Sequence, residues 1–209
     1  MLKLQSKLFC HDSKNKKLNR INFINFYLKR KTFFFQFILH DFCLLFKKKF
    51  EEFFSCNITI DFLRCFVNPR TDIEYLCSQY IGKQFFLKES ITDICAIIIK
   101  KNFFSFFINY LFGNRQFSIH KNNKSLTKNE IIIAESFFEK IFKILNKTLF
   151  FDFNCSIINN FEYVKLKYFQ CHCFSSDSYA CLIFKVFLNR IVTNLYIYIP
   201  LNMVKNFQK

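Results

Sequence analysis

The apolar positions of the chain follow two periods, and the switches between them mark out its elements. From residue 18 to about residue 54 apolar side chains recur at helical spacing: Ile21, Ile24 and Leu28, then Phe35, Leu39, Phe42 and Phe46. That spacing predicts one or two helices. Alternation takes over in Asn57-Ile58-Thr59-Ile60-Asp61-Phe62, a strand rich in β-branched residues. Pro69, within Asn68-Pro69-Arg70-Thr71-Asp72, reads as a turn and helix start, and Asp72 to Tyr80 as a short helix closed near Gly82. Ile91 to Ile99 reads as a buried strand, broken by Lys100-Lys101-Asn102, after which a helix runs to Phe112 and stops at Gly113.

A polar loop from Asn114 to Ser125 separates that helix from the next. Thr127-Lys128-Asn129-Glu130 has the capping-box pattern: the Thr hydroxyl can accept from the third backbone amide while the glutamate reaches back to the cap. Behind it Ala134, Phe137 or Phe138, Ile141, Leu145 and Leu149 recur at helical spacing, with Glu135, Glu139, Lys140 and Lys143 on other faces. The last third alternates instead. Residues 153–158, 161–171, 180–188 and 195–199 are candidate strands, with turn residues at Ser175-Ser176-Asp177-Ser178 and Asn189-Arg190 and a stop at Pro200. Leu195, Ile197 and Ile199 share one face of the last strand, and Tyr196 and Tyr198 the other. The order predicts a single α/β domain over residues 18–204, three layers deep, with an internal pseudo-twofold repeat and a mostly antiparallel sheet flanked by helices. Residues 1–17 form a basic tail and 205–209 a short one.

Composition sharpens this in three places. Only two of the 209 residues are glycine, so Gly113, at a segment end, is the place to expect a positive φ. Lys, Asn, Ile and Phe (34 of them) dominate, the residue usage of a strongly AT-biased genome. The formal charge of +16 favours anionic partners. Its lysines are scattered, however, and neither an RNP-like aromatic motif nor a GxxG loop accompanies them, so a basic nucleic-acid-binding or ribosomal protein is the alternative reading.

Candidate chemistry is thin. The ten cysteines follow no secretory pattern, since residues 1–20 lack a continuous apolar core, and so read as small apolar residues of a reducing compartment. Cys171-His172-Cys173 is the one cluster with metal-ligand chemistry, and strand alternation splits it between two faces, so no metal is expected. His11, His40, His120 and His172 are scattered, and no nucleophile elbow, phosphate-binding loop or paired-carboxylate motif occurs. Neither an enzyme nor a cofactor is expected. The apolar runs from Phe33 to Phe46 and from Phe103 to Phe112 fall short of the roughly 18–20 apolar residues that span a bilayer, and read as buried helices.

From Asn109 to Val204 the sequence resembles the middle domain of the flagellar motor switch family FliM. The residues that carry the likeness are Phe112-Gly113, Phe117, the Thr127/Glu130 pair, Ser176-Asp177-Ser178, the strand at 182–188 and the ending Ile199-Pro200-Leu201-Asn202-Met203. Upstream, Ile58-Thr59-Ile60, Asp72 to Leu76 and Ile94 to Ile99 extend it to residues 18–204. The resemblance implies a CheC-like fold. It also implies a structural role in the switch ring (C ring) of the flagellar basal body, peripheral at the cytoplasmic face of the inner membrane, in motility and rotation switching or as an export scaffold. The implied partners are FliG, FliN and further FliM copies, with no nucleic acid. The family's GGxG-type loop contacts FliG, and the matching positions here are Phe112, Gly113, Asn114, Arg115 and Phe117, of which only Gly113 keeps a glycine. The family also starts with a peptide that binds phosphorylated CheY. Residues 1–17 carry nothing like it, which puts CheY binding in doubt. The family's C-terminal FliN-like domain has no counterpart before Lys209. Some relatives of this fold are CheY phosphatases with an ExxN pattern, and the asparagine is missing after Glu74, Glu130 and Glu139.

Overall fold

A computed structural model describes residues 38–69, 80–87, 90–113, 127–152, 157–158 and 178–206. Helix α1 covers residues 38–54. Then follow strands β1 (Ile58–Pro69), β2 (Tyr80–Leu87) and β3 (Ser90–Lys100), and helices α2 (Lys101–Leu111), α3 (Lys128–Lys147) and α4 (Leu149–Asp152). Strands β4 (Ile157–Ile158), β5 (Ser178–Leu188) and β6 (Ile191–Pro200) and helix α5 (Leu201–Asn206) complete the order. The six strands form one sheet in the order β1-β5-β6-β3-β2-β4, and every described pairing is antiparallel.

That order carries the internal repeat. Exchanging β1 with β4, β2 with β5 and β3 with β6 turns the order into its own reverse, which places a pseudo-twofold axis at the β3–β6 junction. The halves match in detail about 100 residues apart. Tyr80 opens β2 opposite Lys100, and Tyr179 lies opposite Pro200 near the start of β5. Lys100 passes straight into α2 and Pro200 straight into α5.

The sheet is buried on both faces, as the middle layer of a three-layer domain must be. On one face Ile97, Ile99, Leu195, Ile197, Ile199, Leu182 and Phe184 pack under the helices. On the other, Tyr80, Ala96, Ile98, Tyr179, Cys181, Ile183 and Tyr198 form a second buried cluster. Alternation in β6 sorts its side chains between the two, the aliphatic residues toward the helices and the tyrosines away. Burial and a hydrogen bond with Tyr196 push the Tyr80 phenol above its ordinary range.

Phenylalanine builds the helical layer. Phe42, Phe46 and Phe50 lie one turn apart on α1 and are fully buried, with the last two rings stacked at 4.0 Å. Phe42 meets Phe184 of β5 at 4.9 Å, tying α1 to the sheet. Phe137 of α3 joins three helices, with its ring 5.0 Å from Phe50, 5.6 Å from Phe104 and 5.2 Å from Phe107. Edge-on contacts of this kind add to area burial because ring edges are positive and faces negative. Phe85 carries the same packing to β2 through Phe142 and Phe150.

One sequence expectation fails at β2. Tyr80 and Gly82 do not close a helix: they lie in β2, and Gly82 pairs with Ile98. Glycine is needed there because a Cβ would meet the Ile97 carbonyl oxygen at 2.3 Å and Ile98 Cγ2 at 2.5 Å. Pro69, read as part of a turn, is the last residue of β1, paired with Ser178, and the rest of that turn, residues 70–72, lies outside the described residues. It sits at the end of a strand that closes the sheet on one side, where a missing N–H costs no ladder bond. The strand expected over 57–62 runs on to Pro69 because a bulge between Phe62 and Arg64 resets its alternation. The strand expected over 153–158 is described only at Ile157–Ile158, after the short helix α4. The helix expected over 72–79 and the strand over 161–171 lie outside the described residues.

Candidate partner-binding site at the end of α2

Helix α2 is buried along most of its length. Phe103, Phe104, Phe106, Phe107 and Ile108 are all inside, and its first residue follows β3 without a linker. The helix ends in a tight turn. The Phe112 N–H donates to the Ile108 carbonyl at 3.2 Å and the Gly113 N–H to the Tyr110 carbonyl at 3.0 Å. Gly113 has φ +81°, the left-handed conformation that an L side chain adopts at a cost. Among the described residues, and apart from its chain neighbours, nothing lies within 4 Å of the position a Cβ would take at Gly113. Backbone conformation alone therefore asks for glycine here, whereas at Gly82 space asks for it.

Phe112 was expected inside with the rest of its segment, and the structure puts it outside, 72% exposed. Phe112 is the C-cap of the helix (φ −86°, ψ 13°), one residue past the helical segment that holds the buried Phe104 and Ile108. The apolar run carries no sign of this, because the position of the helix end decides it. Asn114, Arg115 and Phe117 lie outside the described residues.

Helix α3 opens with a complete capping box. The Thr127 N–H donates to Glu130 Oε2 at 2.6 Å, and the Glu130 N–H donates to Thr127 Oγ1 at 3.4 Å. Two backbone donors that the helix itself leaves unpaired are thereby satisfied. Ala134, Phe137, Phe138, Ile141 and Leu145 are buried on α3, and Leu149 on α4.

Little else in the described residues offers chemistry. No group of three or more His, Cys, Asp or Glu side chains there is placed to hold a metal ion. The Cys171-His172-Cys173 cluster, His11, His120 and Glu74 lie outside the described residues. His40 is exposed on α1. Burial pushes the thiols of Cys65 and Cys181 up to about 12 and those of Cys43 and Cys56 up to about 11, so none is a thiolate near neutrality. Lys83 on β2 points under the helices, 5.9 Å from the Phe142 ring centroid. Burial lowers its pKa, opposed by Glu135 and Glu139. Exposed lysines are spread over α1 (Lys47, Lys48, Lys49), α3 (Lys128, Lys143, Lys147), the end of β3 (Lys100) and β5 (Lys185) rather than gathered on one element. No helix among the described residues is long and apolar enough to cross a membrane.

No protein-family model matches the chain, and no curated protein matches it in sequence. Solved structures do match. The FliM middle domain of Vibrio alginolyticus aligns over 83% of this chain and 97% of its own, with a TM-score of 0.66 at 10% identity. The chain has the fold of a FliM middle domain. A structure of the FliG–FliM complex from H. pylori contains a chain that matches with a TM-score of 0.66 at 11% identity, over 87% of this chain and 99% of that one. Thermotoga maritima FliY aligns over 81% of this chain and 89% of its own at 10% identity, with a TM-score of 0.59. At these identities the likeness speaks for the CheC-like α/β fold and its antiparallel sheet. Residue roles have to be argued from this chain's own geometry.

Proposed function

We propose that this chain is a non-enzymatic structural component of the flagellar motor switch, with FliG as the partner at the end of α2. On this reading residues 18–204 form the domain, and Phe112, Gly113, Asn114, Arg115 and Phe117 form the FliG-facing loop. Further copies of the chain pack beside it in a ring at the basal body, on the cytoplasmic face of the inner membrane. The role is mechanical: force entering at the loop passes through α2 into β3, which continues it without a linker.

The observation that carries the proposal is a helix end, turned by a positive-φ glycine, on a fold that matches a chain of a FliG–FliM complex over nearly all of that chain's length. The test is capture of purified FliG from the same organism by the full chain and by its Gly113→Asp and Arg115→Glu variants. The expected result is capture by the wild type and weakened capture by both variants. No capture by the wild type, or no effect of either change, sinks the proposal.

A further inference from the structure

We propose that Lys83 decides which helix covers the first half of the sheet, and so selects the crossed arrangement in which each half carries the leading helix and strand of the other. Helix α1 packs on β5 through Phe42 and Phe184, while α3 and α4 pack on β2 through Phe142, Phe150 and Phe85. Strand β1 lies beside β5, and β4 beside β2. The uncrossed alternative returns α1 and β1 to β2, and α3 and β4 to β5. Apolar packing barely distinguishes the two. Ile38, Leu39, Phe42, Phe46 and Phe50 are buried, and so is each residue 99 positions later: Phe137, Phe138, Ile141, Leu145 and Leu149. The strands beneath them match at the same interval, with Phe85 of β2 answered by Phe184 of β5.

The match breaks at one core position. Where β5 buries Leu182, β2 has Lys83, the one charged residue buried among the described residues. Its ammonium lies 5.9 Å from the ring centroid of Phe142 on α3. Glu135 and Glu139 of the same helix favour its charged form, against the effect of burial. At the positions that match those glutamates the first half carries Gln36 and His40, neither of them an acid, and the next acid, Asp41, matches Lys140. With α1 laid over β2, Lys83 would be a buried ammonium without a carboxylate. With α3 laid over β5, the glutamates would meet Leu182 and gain nothing. A buried ion pair adds little over an apolar pair of similar size, but an arrangement that strands one partner is heavily penalised. Lys83 therefore separates two arrangements that apolar packing leaves close.

The experiment uses two exposed residues as a reporter. Asp61 of β1 and Lys185 of β5 stand directly opposite each other in the ladder, so within one chain a carbodiimide joins them when β1 lies on β5. Peptide mass spectrometry of the monomer fraction, after refolding from urea, reads the yield for the full chain and two variants. Lys83→Leu copies Leu182 into the first half, and Lys83→Leu/Leu182→Lys moves the charge to the second. The wild type is expected to give the cross-link. Lys83→Leu is expected to melt no lower than wild type and yet to give less than about half its yield, and the double variant less again. Wild-type yield in either variant overturns the proposal. So does a Lys83→Leu protein that fails to fold, because Lys83 then supports stability rather than choice. A wild type that gives no such cross-link overturns the crossed pairing itself. None of these outcomes depends on the partner at the end of α2.

Discussion

Gly82→Ala should damage this domain more than Gly113→Ala, and the structure says why in distances. The new Cβ would lie 2.3 Å from the Ile97 carbonyl oxygen, 2.5 Å from Ile98 Cγ2 and 3.2 Å from the Ile97 carbonyl carbon. Ordinary contacts between non-bonded heavy atoms sit at about 3.5–4.0 Å, so the strand would have to retreat by roughly 1 Å. Ile98 could turn its side chain away, but the Ile97 carbonyl cannot move freely, because β3 is paired with β2 on one side and β6 on the other. Overpacking costs about 1–3 kcal/mol, and each ladder hydrogen bond loosened by the retreat costs about 1 kcal/mol more. Against this, alanine recovers roughly 0.4–1 kcal/mol by restricting the unfolded chain. The balance is a destabilisation of about 2–4 kcal/mol, or a fall in Tm of roughly 4–16 °C for a domain of this size. Thermal and urea unfolding of wild type, Gly82→Ala and Gly113→Ala, followed by circular dichroism, measures it. At Gly113 only the backbone conformation resists, for about 1–2 kcal/mol. Truncating Ile98 in the Gly82→Ala background should not restore stability, since the carbonyl contact remains. A Gly82→Ala protein melting within a degree of wild type, or a Gly113→Ala protein that is the worse of the two, would refute the reasoning.

Other expectations follow from single features. Thr127→Ala removes the hydroxyl that accepts the Glu130 N–H and should cost about 1 kcal/mol in urea unfolding, with Thr127→Ser close to wild type. Ser55, just past α1, holds φ 50° without being glycine, so Ser55→Gly should raise stability by up to about 1 kcal/mol in the same assay. The thiols of half-buried Cys65 and buried Cys181 hold their protons to about 12, against about 8.5 in the unfolded chain. The unfolded state therefore binds fewer protons in that window, and stability should fall as pH rises from about 8.5 toward 12. Urea midpoints at pH 8 and pH 10 measure that fall, and it should be smaller in Cys65→Ala. Neither thiol should react with a disulfide reagent at pH 8 before unfolding, which a timed absorbance assay checks.

The parts of the fold that were legible in the sequence are those where one physical signal acts alone. Helix α3 announces itself by Thr127 and Glu130 and by a clean apolar stripe. Strand β6 does so by strict alternation of aliphatic and tyrosine side chains. Strand β2 was not legible, because tertiary demands overwrite its pattern. Lys83 occupies a core-facing position between Ile81 and Phe85, and Gly82 is dictated by the carbonyl of a neighbouring strand, so neither alternation nor β propensity survives. The repeat could have recovered it, since Tyr80 and Phe85 in β2 stand where Tyr179 and Phe184 stand in β5, 99 residues later. At the candidate site the glycine conformation was readable from its rarity and position. The exposure of Phe112 was not, because it depends on the helix ending one residue earlier than the apolar run does.

The strand order has a consequence for how the domain holds under load. Neither half is self-contained: β1, from the first half, lies against β5 of the second, and β4, from the second, lies against β2 of the first. Each half has handed its leading strand to the other, like two people linking arms. The central junction alone is short, running only from Ala96–Tyr198 to Ile99–Leu195, and a pull across it would otherwise separate the halves there. With the arms linked, separation also requires peeling the long β1–β5 ladder from Ile58–Leu188 to Pro69–Ser178, whose partners lie more than a hundred residues apart in the chain. Such distant pairings form late and slowly in folding. Once made, they turn two similar halves into one body that yields only as a whole.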